Sequence, residues 1–185
     1  MTPQQLASCT GARIDRAREW LPFLEEAMAA YDISTPTRQA AFLAQVGHES
    51  AGLHYTVEIW GPTLEQRGYE GRTNLGNTQP GDGFRFRGHG LIQITGRDNH
   101  AAVRDRLRTR FPDRNVPDFV GAPEQLAENT WAALSAADYW NSRSLNALAD
   151  NGNFMQITRK VNGGLNGYQD RLSLWEAGKV ALGVV

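Results

Sequence analysis

Residues 41 to 50 read Ala41-Phe42-Leu43-Ala44-Gln45-Val46-Gly47-His48-Glu49-Ser50. Phe42, Leu43 and Val46 supply an apolar face. Upstream, Thr35-Pro36 is an N-cap residue followed by proline at the first helical position. Downstream, Gly52 is a stop signal. A helix is therefore expected over about residues 36–50, with Glu49 in its last turn. The C-terminal end of a helix carries partial negative charge, which disfavours an ionised carboxylate. Desolvation by the apolar face acts in the same direction. A carboxylic acid kept protonated is what general-acid catalysis needs. Glu58 follows nine residues later, beyond the Gly52 break, so it projects from a separate segment. Two carboxyls facing across a groove are the equipment for cleaving a glycosidic bond. The plainer reading is that both are solvated surface groups, as most Glu in any soluble protein are.

Outward from this helix the chain reads as helices around one glycine-rich middle. Thr2-Pro3 starts a helix in the same way as Thr35-Pro36. Ile14, Ala17, Leu21, Leu24, Met28 and Tyr31 lie on one helical face, which Pro22 is expected to divide into two helices. Residues 61–90 hold eight of the 19 glycines. Within them, residues 71–83 show neither a helical nor a strand period and read as a long loop, either functional or disordered. Leu91-Ile92-Gln93-Ile94-Thr95 reads as a short strand. Helices are expected again over residues 98–111, 123–139 and 168–182, with a shorter one capped by Asn153. The expected fold class is mainly α with a small β element near residues 84–95. One domain should span residues 1–185, with no repeat or linker.

Composition narrows the function classes. Lys and Arg number 19 against 20 Asp and Glu, so the basic excess of a general nucleic-acid binder is missing and no nucleic-acid partner is expected. A lone cysteine, Cys9, excludes an internal disulfide and a multi-cysteine zinc site, and reads as a packed small residue. No uncharged apolar run approaches the roughly 18 residues of a membrane span, so no stable membrane insertion is expected. Met1-Thr2-Pro3-Gln4-Gln5 lacks the basic-then-apolar pattern of a secretory signal, which points to a reducing cytoplasm. His48 and His54 are six residues apart and form no His-Glu-x-x-His motif; a zinc site would need His89 or His100 as well. No metal or cofactor is expected. Arg104, Arg106, Arg108 and Arg110 read as a solvated face, with attraction to an anionic surface as the sharper alternative. Trp60, beside Glu58, is the best placed of the five Trp to stack on a sugar; Trp131, Trp140 and Trp175 fit core positions.

Three motifs carry a family resemblance. The stretch 41–50 resembles the catalytic-acid helix of family 19 glycoside hydrolases. Phe86-Arg87-Gly88-His89-Gly90-Leu91-Ile92-Gln93-Ile94-Thr95-Gly96 resembles that family's second signature. Val161-Asn162-Gly163-Gly164, followed by Asp170-Arg171, resembles the third. All three occur in the family's order.

The resemblance implies a lysozyme-like, two-lobed helical fold with a small β element beside a catalytic cleft. It implies Glu49 as general acid, Glu58 as general base and Thr95 as the residue that helps position the attacking water. Gln93, Asn99 and Asn162 would bind sugar, and Arg171 would hold a charge network around the base. His48, Trp60, Tyr69 and Arg171 complete the expected substrate contacts. Glu65 and Glu70 stand nearby in sequence as alternatives for the base. His89 falls where related sequences usually carry Arg, so a titratable group replaces a permanent cation. The family mechanism is inverting, which requires a carboxyl separation of roughly 6.5–9.5 Å.

The chain resembles the compact phage and prophage endolysins within the family. That implies a monomer acting on peptidoglycan glycan strands without metal or cofactor. It would wait in the host bacterial cytoplasm until a holin breaches the membrane, then reach the periplasm and cell wall. The alternatives are a chitinase of the same family, a zinc-dependent cell-wall amidase or peptidase, and a non-catalytic carbohydrate-binding module.

Overall fold

The computed structural model describes residues 1–184. The chain divides into two compact units. The first is Met1–His54 with the segment from Tyr139 onward, and the second is Tyr55–Asp138. In chain order the α-helices are α1 (Pro3–Thr10), α2 (Ile14–Ala30), α3 (Pro36–Glu49), α4 (Leu64–Arg67), α5 (Asp82–Arg85), α6 (Arg97–Arg110), α7 (Asn129–Ser142), α8 (Leu145–Asp150), α9 (Phe154–Asn162) and α10 (Tyr168–Ala181). Single 3-10 turns lie at Thr73–Leu75 and Pro123–Ala127. The protein is mainly helical. Among the described residues, isolated antiparallel β-pairings join Val57 with His89 and His89 with Ile94.

The first unit is built around α3. Thr35 caps it, its hydroxyl accepting the Arg38 N–H at 3.2 Å, with Pro36 in the first turn. Ala40 through Gly47 are buried without a break, so α3 is covered all round and packs on α1 and α10. Gly47 makes the crossing with α1 possible, because a Cβ there would lie 2.4 Å from the Thr10 carbonyl oxygen. Cys9 is buried in this core, and burial pushes its thiol up to about 12. Contrary to expectation, α2 runs through Pro22 unbroken. Pro22 and Arg18 are both exposed, so the carbonyl that loses its partner is open to water, while Trp20, Leu24, Ala27 and Met28 bury the other face. Helix α8 was not foreseen, since six residues are too few to show a period. It is tied in by Arg38, which donates to Asp150 through Nε at 2.8 Å and Nη2 at 2.7 Å. Asn153 caps α9 as expected, accepting from the Gln156 N–H at 3.3 Å, and Phe154 stacks on Trp175 of α10 at 4.5 Å.

In the second unit the glycine-rich loop is ordered by side chains rather than by a backbone ladder. Buried Asp82 accepts from Arg97 Nε at 2.9 Å and Nη2 at 2.5 Å. Asn77 accepts the Arg97 N–H at 2.9 Å and donates its amide to the Tyr69 carbonyl at 2.9 Å. Glu70 accepts the N–H groups of Gly81 and Gly83 at 2.7 and 2.8 Å. Backbone groups that no ladder pairs need such partners. The expected strand over 91–95 is instead a turn in which Gln93 has φ +54° and Ile94 pairs with His89. The expected helix over 123–139 is two elements. A 3-10 turn ends at Glu128, whose backbone is extended, and α7 follows. The basic helix α6 is largely engaged in pairing: Arg104 with Asp105 and Asp118, and Arg106 with Asp138.

Candidate active site

Glu49 ends α3, where a cation from α10 offsets the partial negative charge of the helix terminus. Arg171 of α10 is 1% exposed, and its Nη2 donates to Glu49 Oε1 at 2.5 Å. Its Nη1 donates to Gln45 Oε1 at 2.6 Å and its Nε to the Asn166 carbonyl at 3.3 Å. Gln45 in turn donates to the Thr158 hydroxyl on α9 at 2.9 Å. The chain Thr158–Gln45–Arg171–Glu49 is thus a continuous polar network through the first unit's core. It corrects the expectation for Arg171, whose charge network surrounds the expected acid rather than the base. Gln45 and Thr158 were not foreseen as part of it. The signal for Gln45 was its position one turn before Glu49 within an otherwise apolar run.

His48, one residue earlier, has Nδ1 2.5 Å from Asp170 Oδ2. Its ring lies against Gly167, where a Cβ would fall 2.3 Å from His48 Cε1. Asn162 is exposed at the end of α9, which Gly163 closes with φ +77°. Half-buried Tyr139 fixes the backbone just before it, its hydroxyl donating to the Val161 carbonyl at 3.1 Å.

Glu58 belongs to the second unit and is held on both oxygens. Oε1 accepts from Gln66 Nε2 at 2.9 Å and from the Tyr69 hydroxyl at 3.3 Å. Oε2 accepts the Gly88 N–H at 2.9 Å. The Glu58 N–H donates back to the Gly88 carbonyl at 2.8 Å. A carboxyl that receives three donors is oriented as an acceptor, the form a general base requires. Burial, then the Glu58 charge, push the Tyr69 hydroxyl up to about 12, so it remains a donor. Gln66 was not foreseen, although Thr63 to Gln66 is a capping-box pattern. Its Oε1 accepts the Thr63 N–H at 2.8 Å, leaving its amide free to hold Glu58. Trp60 packs on Tyr69 at 6.3 Å and on Phe84 at 5.3 Å.

The second motif folds around the same carboxylate. A Cβ on Gly88 would lie 2.6 Å from Gln93 Oε1 and 3.1 Å from Gln93 Cβ, so a side chain there would displace Gln93. Gln93 donates to the Gly90 carbonyl at 2.9 Å, and the Thr95 hydroxyl donates to the Gln93 carbonyl at 3.1 Å. Asn99 donates to the Thr95 carbonyl at 2.7 Å. Of the alternative bases, Glu70 is committed to the Gly81 and Gly83 N–H groups, and Glu65 is exposed on α4.

His89, the titratable group expected in place of a permanent cation, is enclosed by the fold. It is 1% exposed, and its Nδ1 lies 3.1 Å from His100 Nε2. His100 Nδ1 lies 2.8 Å from the Gly96 carbonyl, which can only accept. Hydrogen-bond logic therefore assigns the proton to Nδ1 in both rings. Burial, reinforced for His89 by the Arg87 charge, pushes each imidazole down to about 4. The position corresponding to the usual Arg thus carries a neutral ring near neutral pH. Among the described residues, no group of three or more His, Cys, Asp or Glu is placed to hold a metal ion.

The chain is 34% identical over 168 residues to a glycosyl hydrolase family 19 domain-containing protein of Haemophilus influenzae, covering 76% of this chain and 78% of that protein. Its fold is similar to that of chitinase C from Streptomyces griseus, with a TM-score of 0.75 and 22% identity over 100% of this chain and 93% of the other. It is also similar to a bacterial family 19 chitinase, with a TM-score of 0.74 and 23% identity over 100% and 95%. No protein-family model matches the chain.

Proposed function

The chain belongs to glycosyl hydrolase family 19 and is a glycosidase, and from that premise we propose that it cleaves β-1,4 linkages between N-acetylated amino sugars of bacterial peptidoglycan by an inverting acid/base reaction, in the role of an endolysin. The observation that carries the mechanism is the contrast between the two carboxyls. Glu58 is fixed by three donors as an acceptor. Glu49 has Oε1 on Arg171, which leaves Oε2 as the oxygen through which it would deliver a proton.

In this reading Glu49 gives that proton to the leaving glycosidic oxygen as the bond to the anomeric carbon breaks. Water attacks the anomeric carbon from the opposite face, and Glu58 takes the proton that the water loses. An inverting reaction needs roughly 6.5–9.5 Å between the carboxyls to admit the water. The Thr95 hydroxyl helps place that water. Gln93, Asn99 and Asn162 hold sugar amide and hydroxyl groups, and Trp60 offers a ring face to a pyranose. The endolysin role implies synthesis in the host cytoplasm and passage to the wall through a separate membrane breach, such as a holin provides.

A second reading, hydrolysis of chitin, is favoured by the two chitinases that share the fold. Clearing of outer-membrane-permeabilised Gram-negative cells separates the two. The wild type should clear them and Glu49→Gln should not. If neither clears them while the wild type cuts chitin oligomers well, the peptidoglycan reading is wrong. Mass spectrometry of products from purified murein identifies the sugar at the new reducing end.

A further inference from the structure

Among the described residues, exposed Arg85 and half-buried Arg87 of the second unit have no carboxylate partner, whereas most half-buried or buried arginines do. Arg85 donates Nη2 to the carbonyls of Val120 and Gly121 at 3.0 and 2.7 Å. Arg87 donates Nη1 to the Phe84 carbonyl at 2.9 Å and lies 4.3 Å over the Phe84 ring. Arg38, Arg97, Arg104, Arg106 and Arg171 are all salt-bridged. Arg85 and Arg87 line one cavity of about 260 Å³ together with Phe84, His89, Gly121, Pro123 and Glu124. Glu124, exposed at the rim, is the one acid in this lining, so the pocket keeps an excess of positive charge.

The position of the pocket gives it a meaning. Phe84 is 51% exposed and also packs on Trp60, which packs on Tyr69, which donates to Glu58. Arg87 is followed by Gly88, whose N–H holds the other oxygen of Glu58. The cationic cavity therefore begins one aromatic ring from the platform beside the base. A neutral N-acetylglucosamine polymer offers two guanidinium groups hydroxyl and amide oxygens but no anion. A muramyl-type sugar carries a carboxylate on its lactyl ether or on the peptide attached to it. Guanidinium forks bind carboxylates through charge-assisted hydrogen bonds, and a cation already resting on an aromatic face is held in place for the purpose.

We propose that the Phe84–Arg85–Arg87 pocket is a carboxylate subsite that selects acidic, muramyl-type glycan over neutral chitin, with Arg87 as the specificity-determining residue. The inference rests on the peptidoglycan reading above. Its test measures binding instead of turnover, so the two can fail separately.

In a Glu49→Gln background, calorimetry compares a peptide-stripped murein oligosaccharide with the same oligosaccharide after amidation of its lactyl carboxylates. A peptide-bearing murein oligosaccharide and its amidated form make the second pair. At least one acidic form should bind about tenfold more tightly than its neutral counterpart, about 1.4 kcal/mol. The pair that shows the margin identifies the source of the carboxylate. Added Arg87→Gln should abolish the margin, and Arg87→Lys should restore part of it, so that a loss of folding in one variant does not decide the matter. Equal affinity for acidic and neutral forms in both pairs, or a margin that survives Arg87→Gln, overturns the subsite. If the margin is present but the wild type leaves peptidoglycan uncut, the subsite stands and the endolysin reading falls.

Discussion

Acidification should unfold this protein through its buried histidine pair. His89 and His100 titrate near 4 in the folded chain, against 6.5 when exposed. Between those values the unfolded chain binds more protons than the folded one, so stability falls as pH falls. The pair's contribution is complete above about pH 6.5 and is lost progressively towards pH 4. From pH 7 to pH 5 the loss is about 2 kcal/mol for each ring, or about 4 kcal/mol if both charge independently. That is a large part of the roughly 5–15 kcal/mol that stabilises an ordinary domain. Urea denaturation at half-unit pH steps reads it directly, with the slope m checked for constancy. The difference between wild type and a His89→Gln/His100→Gln double variant isolates the pair from carboxylates that titrate in the same range. His100→Gln alone, whose amide can still donate to Gly96, guards against collapse of the double variant. A wild-type loss below about 1 kcal/mol over this range, or an equal loss in the variants, refutes the reasoning.

Three further outcomes follow from the site. Arg171→Met strips the cation from Gln45 and Glu49 in a buried network, so it should cost about 3–5 kcal/mol in urea denaturation and lower kcat. Arg171→Lys should recover only part, because an ammonium lacks the planar fork that reaches both partners. Gly88→Ala places a methyl 2.6 Å from Gln93 Oε1 and should cost about 1–3 kcal/mol, with turnover falling more than stability because the same residue orients Glu58. Glu58→Gln should lose about 10²–10⁴-fold in kcat at nearly unchanged melting temperature. Glu70→Gln should do the reverse, loosening the Gly81–Gly83 backbone while keeping most turnover. The opposite pattern would move the base to Glu70.

Where local chemistry and burial agreed, the sequence was readable. Thr35-Pro36 and Asn153 cap helices because their side chains meet nearby N–H groups, a matter of three residues. The second and third motifs stood out in the sequence, but the partners of their side chains did not. Arg171 reaches Glu49 across 122 positions of chain, and no local pattern says which carboxylate a distant arginine will meet. Pro22 misled because an intrinsic helix breaker was outweighed by the buried face of α2. The glycine-rich loop looked unstructured because what orders it is a set of side-chain contacts to Asp82, Asn77 and Glu70, and such contacts leave no period. His89 looked titratable because its burial comes from the surrounding fold, which its neighbours in sequence do not reveal.

The order of the units along the chain has a consequence for synthesis. The unit holding Glu58 is one continuous segment, Tyr55–Asp138, whereas the unit holding Glu49 is interrupted by it. On a ribosome, Gln66, Tyr69 and Gly88, which hold Glu58, all emerge before Arg171, which pairs with Glu49. A nascent or prematurely released chain would therefore carry Glu58 with its donors in place and Glu49 still without Arg171. Such fragments would lack one of the two carboxyl environments that the finished fold provides.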